Sequence, residues 1–306
     1  MKVKKDIYMQ GLLKFLIKSR LKQKYSYSVL SVSGFTMIEL LVGTIIAFLI
    51  TVPMLGFVVD ILNRDVKEQA KATTEREIQA AAEYLSQDLS QAIYIYDPED
   101  EDFETFRAQL PYEGEDDKTL SLVFWKRHLI TNAICPESFG DPITGCSDDE
   151  KDDIYVYSLV AYYLIDDDNA IWCQPAGSNC KRIARVQIRD GIKDPDNFTQ
   201  YIAENDKKIG RSKGYNPDFD INKPLEWTNS GEEFPSHDVL VNYIEDFSEL
   251  QVTNNRLAKI EIVGNAKRRI PGQFKVVECT DIDKDRTSPY CPTVAIQVRA
   301  GGSVGT

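Results

Sequence analysis

Histidine is nearly absent from this sequence: only His128 and His237 occur among 306 residues. Neither lies in an H-E-x-x-H pattern, and no nucleophile elbow is read in the chain. The six cysteines include no C-x-x-C pair, which argues against a zinc site. Basic residues run short as well, 36 against 48 acidic ones, for a formal charge of −12. The acidic balance argues against nucleic acid as the main ligand, because phosphate binding needs basic patches. Together these shortages argue against an enzyme and towards a protein that works by assembly or binding.

The scarce basic residues are concentrated at one end. Residues 1–34 hold Lys2, Lys4, Lys5, Lys14, Lys18, Arg20, Lys22 and Lys24 against Asp6 alone. Subtracting this +7 from −12 leaves a formal −19 for the other 272 residues. An apolar run follows from Phe35 to Val59, with Glu39 as its only charge. At about 1.5 Å per residue such a run crosses a hydrocarbon core roughly 30 Å thick. A basic flank keeps its own side cytoplasmic and sends the rest across. An ordinary signal peptide would have a shorter apolar region followed by a small-residue cleavage site, which is not evident after Val59. A carboxylate inside a membrane helix costs about 2.5–3.5 kcal/mol near its centre and so usually marks function.

Gly34-Phe35-Thr36-Met37-Ile38-Glu39-Leu40-Leu41-Val42 resembles the class III signal of type IV pilins and type II secretion pseudopilins. The resemblance implies prepilin peptidase cleavage between Gly34 and Phe35, N-methylation of Phe35, and Glu39 as the assembly carboxylate that pairs with a neighbour's N-terminal amine. It implies a pilin-like α+β fold: a long N-terminal membrane-spanning helix packed on a C-terminal antiparallel β-sheet domain with long loop insertions. The expected divisions are a leader (1–34), an N-terminal helix (35–96, spanning the membrane over 35–59 and amphipathic over 60–96), and a β-rich exported domain (97–306). Pro53 and Gly56 are expected to kink or loosen the helix, as helix breakers do in that family.

Ile78, Ala81, Ala82, Leu85, Leu89, Ala92 and Ile93 recur at helical spacing, and Pro98 predicts a helix end at Asp97. The ending Leu85-x-x-Asp88-Leu89-x-x-Ala92 is similar to that of J-type pseudopilins and W-type minor pilins. The chain looks most like the cyanobacterial pseudopilins linked to hormogonium polysaccharide secretion. Strands are predicted at Thr119–Trp125, Ile154–Ile165, Arg182–Arg189, Val239–Thr253, Leu257–Val263 and Val294–Val298. Asp166–Asn169 reads as a hairpin turn, and a short helix is expected around Asn197–Asn205. Residues 126–153 and 190–236 depart from the minimal pattern as inserts.

All six cysteines follow the apolar run and form three neighbouring pairs in sequence, Cys135–Cys146, Cys173–Cys180 and Cys279–Cys291. Six cysteines allow fifteen connectivities; the nearest-neighbour one closes short polar loops. Asp281, Asp283 and Asp285 alternate as at the start of a calcium loop. Arg286 replaces the following glycine and Pro292 the bidentate glutamate, so a solvated acidic turn competes with a calcium site.

The implied function is a minor pilin or pseudopilin that helps initiate or cap a filament supporting secretion, including that of polysaccharide, or motility. Its implied partners are prepilin peptidase, other minor and major pilins or pseudopilins, the inner-membrane assembly platform and the membrane itself. The implied location is a single pass in the inner membrane, N-terminus cytoplasmic and C-terminal domain periplasmic, with filament or cell-surface placement after assembly. The alternative is a tip adhesin or cargo-binding module. In it the aromatics of the 190–236 loop, Tyr201, Tyr215, Phe219, Trp227 and Phe234, meet sugar faces, although they equally suit packing onto the sheet.

Overall fold

The computed structural model describes residues 34–167, 171–173, 180–194, 197, 200–270, 279 and 288–302. The chain divides into two units, Met1–Asp60 and Ile61–Thr306. The described part of the first is helical from Met37 and apolar, and every residue from Gly34 to Asp60 is exposed. The same helix, α1 (Met37–Ser90), enters the second unit and there becomes amphipathic. Ala70, Thr74, Ile78, Ala81, Ala82, Leu85, Asp88 and Leu89 form its buried stripe at the three-to-four-residue spacing of one helix face.

The helix stops at Ser90, short of the expected end at 96. Ala92–Ile95 instead forms a strand, β1, against β2 (Lys118–Ile134). Ile93, Tyr94 and Ile95 suit a strand, and pairing Ile95 with Phe124 buries Ile95 completely, so sheet packing overrides the helical spacing. The outer half of the helix therefore belongs to the same compact unit as the sheet.

The remaining strands are β3 (Asp152–Asp167), β4 (Cys180–Arg189), β5 (Asp238–Thr253), β6 (Leu257–Gly264) and β7 (Thr293–Arg299). They form one seven-stranded sheet in the order β1-β2-β3-β4-β5-β6-β7, each neighbouring pair antiparallel. The fold is thus α+β. β2 runs on past Trp125 to Ile134, so much of the 126–153 insert is a β2–β3 ribbon rather than a loop. Asp166 and Asp167 are the last residues of β3, paired with Lys181 and Cys180; Asp168 and Asn169 lie outside the described residues.

The sheet is covered on both faces. On one, Leu122, Phe124, Val160, Tyr162, Ile183, Ile260 and Ile262 pack with Ile78, Leu85 and Leu89 of α1. Burying each of these three large aliphatic side chains contributes about 1.5–3 kcal/mol. On the other face, Val123, Trp125, Leu159, Ala161, Tyr163, Ala184, Val186 and Ile188 meet α2 (Phe103–Arg107) and the 190–236 segment. Burial on two faces explains why Leu159–Ile165 is apolar or aromatic without alternation.

The 190–236 segment is a packed layer. Tyr215 and Trp227 are 1% exposed, and Phe219 stacks on Trp125 with ring centroids 4.4 Å apart. Phe234 is partly buried against the same cluster. Trp125 Nε1 donates to Tyr96 Oη at 2.8 Å, and Tyr96 Oη donates to the Pro224 carbonyl at 2.6 Å, tying the layer to β1 and β2. The short helix expected around 197–205 is not formed by the described residues: Tyr201 bridges Lys193 and residues 202–205 are turns. Asp190, which accepts from Tyr201 Oη at 2.8 Å, holds that turn against the chain leaving β4.

Candidate functional site

Two places concentrate unusual chemistry: the start of α1 and its end. At the start, Gly34, Phe35 and Thr36 precede the first helical residue, Met37. Thr36 Oγ1 accepts the Glu39 backbone N–H at 3.3 Å, so Glu39 occupies the third helical position. Thr36-x-x-Glu39 is the spacing of a capping box, a local signal legible in the sequence. A carboxylate in the first turn is also favoured by the positive end of the helix dipole.

The apolar run around Glu39 has no cover. Phe35 is 79% exposed and Met37 94%, and Ile38, Leu40, Ile45, Phe48, Leu49, Met54 and Phe57 are all exposed. Helix α1 is long and apolar enough to cross a membrane. Its hydroxyls suit such a medium: Thr44 Oγ1 donates to the Leu41 carbonyl at 2.8 Å and Thr51 Oγ1 to the Ala47 carbonyl at 2.7 Å. The Glu39 carboxylate, by contrast, has no hydrogen bond or ion pair among the described residues. The helix runs through Pro53 and Gly56 without interruption, and nothing lies within 4 Å of where a Gly56 side chain would begin.

At the other end, Asp88 is 5% exposed between α1 and the sheet. It accepts from Arg185 Nε at 2.8 Å, from Tyr162 Oη at 2.7 Å and from Lys126 Nζ. Lys126 and Arg185 are themselves buried. Burial pushes the Asp88 carboxyl up, but Arg185 and then Lys126 outweigh it and hold the group below its ordinary range. Arg185 Nη1 continues to Gln187 Oε1 at 2.9 Å, and Gln187 Nε2 reaches Ser158 Oγ at 3.0 Å. The aspartate of the Leu85–Ala92 motif is therefore the polar bolt between helix and sheet.

His128 lies in this neighbourhood, 3.2 Å from Gln187 Nε2. Burial, with Lys126, Arg189 and Arg185, lowers it to about 4, so it is neutral near pH 7. His237 shares a hydrogen bond with Tyr112 Oη at 3.0 Å. Glu249 is pushed up to about 8 by burial and by Asp97. It lines a small cavity, about 120 Å³, with Tyr96, Phe103, Leu120 and Leu122. The expectation of no nucleophile elbow needs correction at the level of letters: Gly301-Gly302-Ser303-Val304-Gly305 has the G-x-S-x-G spacing. Gly301 and Gly302 instead donate their N–H groups to the Ser90 and Ala92 carbonyls at 2.9 Å; Ser303 lies outside the described residues.

Three disulfides join Cys135 to Cys146, Cys173 to Cys180 and Cys279 to Cys291. They close the far end of the β2–β3 ribbon, the β3–β4 connection and the approach to β7. Asp281, Asp283 and Asp285 lie outside the described residues, among which no three His, Cys, Asp or Glu side chains gather as metal ligands. Compared as a whole, the chain matches no family model, no curated protein and no solved structure.

Proposed function

We propose that the protein is a minor pilin- or pseudopilin-like structural subunit that helps start or cap a type IV pilus-like filament. One observation carries this reading: the Glu39 carboxylate stands in the first turn of a wholly uncovered apolar helix, the fifth residue counted from Phe35, with no cation among the described residues to pair with it. A charge left alone within a membrane helix is costly, about 2.5–3.5 kcal/mol at the bilayer centre, and Glu39 stands towards one end of the run. Cleavage after Gly34 creates an amine at Phe35, and a neighbour's amine brought against Glu39 offsets that cost. The reading makes α1 both membrane anchor and filament core, with prepilin peptidase, an assembly platform and fellow pilin-like subunits as partners. The domain carried outside is acidic and disulfide-bonded, which suits an oxidising exported compartment. Burial of Tyr215 and Trp227, with Phe219 and Phe234 packed against the same cluster, favours this reading over a sugar-binding one.

The test is intact mass from native membranes together with Glu39→Ala. The expected mass begins at Phe35 with one added methyl and no free thiol, and Glu39→Ala leaves the subunit processed but unassembled. A mass that keeps residues 1–34 in cells with active prepilin peptidase removes the filament reading.

A further inference from the structure

The two edges of the sheet are treated differently. The β1 edge is closed: Ile95 N–H donates to the Asn255 carbonyl at 2.9 Å, Asn255 Nδ2 to the Ile95 carbonyl at 3.0 Å, and Gly302 N–H to the Ala92 carbonyl at 2.9 Å. The β7 edge is open among the described residues. Gly264 N–H donates to the Pro292 carbonyl, and Ala300 N–H to the Arg256 carbonyl, at the two ends of the β6–β7 ladder. Both bonds join pairs of the same parity. Antiparallel geometry then turns the backbone of Val294, Ile296 and Val298 towards β6. Thr293, Ala295, Gln297 and Arg299 direct their N–H and C=O groups away from it, and all four residues are exposed.

This edge carries little of the usual protection, its one charge being the terminal Arg299. Thr293–Arg299 contains no proline or lysine, and its register with β6 has no bulge. Both ends are held: the Cys279–Cys291 disulfide precedes it, and Gly301 is bonded to Ser90 after it. Val294 and Ile296 are only partly buried against the α1-facing core, leaving apolar surface for a further strand to cover. On a chain that is strongly acidic beyond residue 34, exposed Lys259 and Arg299 lie on one face at the same end of the β6–β7 ladder, with no ion pair among the described residues.

We propose that β7 is a docking edge for an extended segment of a different polypeptide, added as an eighth strand. The segment carries small or β-branched apolar side chains at alternate positions, over Val294 and Ile296, and an acidic residue beside Arg299. A second copy pairing β7 to β7 would bring no acidic side chain to Arg299, because Thr293–Arg299 contains none. Head-to-tail pairing would need the closed β1 edge.

The experiment has two parts, both on the full chain with Glu39 intact. Single-residue hydrogen exchange of the purified protein in detergent should show fast Ala295 and Gln297 amides between slow Val294, Ile296 and Val298 amides. Slow exchange at Ala295 and Gln297 would mean that the chain covers its own edge, which overturns the proposal. In native membranes, a photo-crosslinker at Thr293 should yield a product absent from a control at Glu101, mapping to an extended segment of another protein. Ala295→Pro with Gln297→Pro removes two outward N–H groups and spares the β6 ladder. That double variant should keep its melting temperature and lose about tenfold or more of the product, as expected from two hydrogen bonds. Undiminished product in a folded double variant, product joining two copies of this chain, or no product above the control refutes docking at β7. Altered leader cleavage or a Glu39→Ala phenotype tests the filament reading separately, because neither touches this edge.

Discussion

Replacing Asp88 by alanine should be among the most damaging single changes available in the sheet domain. The side chain is 5% exposed and is shared by Arg185, Lys126 and Tyr162. Alanine leaves two buried cations without a counter-charge, and breaking such a pair costs about 3–5 kcal/mol. For a domain of this size each kcal/mol shifts the melting temperature by roughly 2–4 °C, so the expected fall is about 6–20 °C. The assay is thermal unfolding of the full chain in detergent, followed by near-ultraviolet circular dichroism with disulfides intact. A companion variant sharpens the test: Asp88→Leu with Lys126→Met and Arg185→Met removes all three charges and should recover most of the loss. The pH dependence has a definite sign. Asp88 is held below its unfolded value, so its contribution is full above about pH 4, the unfolded carboxyl range, and is lost as pH falls through the folded value. A loss below about 1 kcal/mol for Asp88→Ala, typical of a solvated surface pair, would refute the argument that this network is a desolvated bolt.

Other outcomes follow from the same contacts. A side chain at Gly264 would begin 2.7 Å from Thr74 Cγ2 and 3.1 Å from Ile78 Cγ2. Gly264→Ala should therefore cost about 1–3 kcal/mol in chemical denaturation, partly rescued by Thr74→Ser. Glu249 is pushed up to about 8, so its neutral form is favoured in the fold; its contribution is complete at low pH and is lost as pH rises from the unfolded carboxyl value through about 8. Glu249→Gln should flatten that part of the stability–pH curve, and an unchanged slope between pH 5 and 8 would count against it. Replacing both members of one disulfide, Cys135 with Cys146 or Cys173 with Cys180, should cost about 2–3 kcal/mol by freeing a short loop in the unfolded chain. Denaturant titration under oxidising conditions measures it, with the reduced wild type as the reference for losing all three.

Sequence alone determined the features that depend on local pattern. The apolar run with its single carboxylate, the helical stripe from Ile78 to Leu89, and six strands of the sheet are periodic signals, because burial repeats every two residues in a strand and every three to four in a helix. Neighbouring cysteines pair because short loops bring their ends together at little entropic cost. Tertiary structure decided what depends on distant partners. Ala92–Ile95 continues a helical pattern but becomes a strand because β2 offers it a ladder and a buried seat. The 190–236 segment looks like a polar loop because its apolar residues are sparse, yet Tyr215, Trp227 and Phe219 find Trp125 across the sheet. Asp88, Lys126 and Arg185 are separated by 38 and 97 residues of chain, and only the packing of α1 on the sheet makes them one buried ion cluster. The unequal edges belong to the same class: a strand's own residues do not say which neighbour will close it, so the capped β1 and a β7 open among the described residues emerge only from the completed sheet.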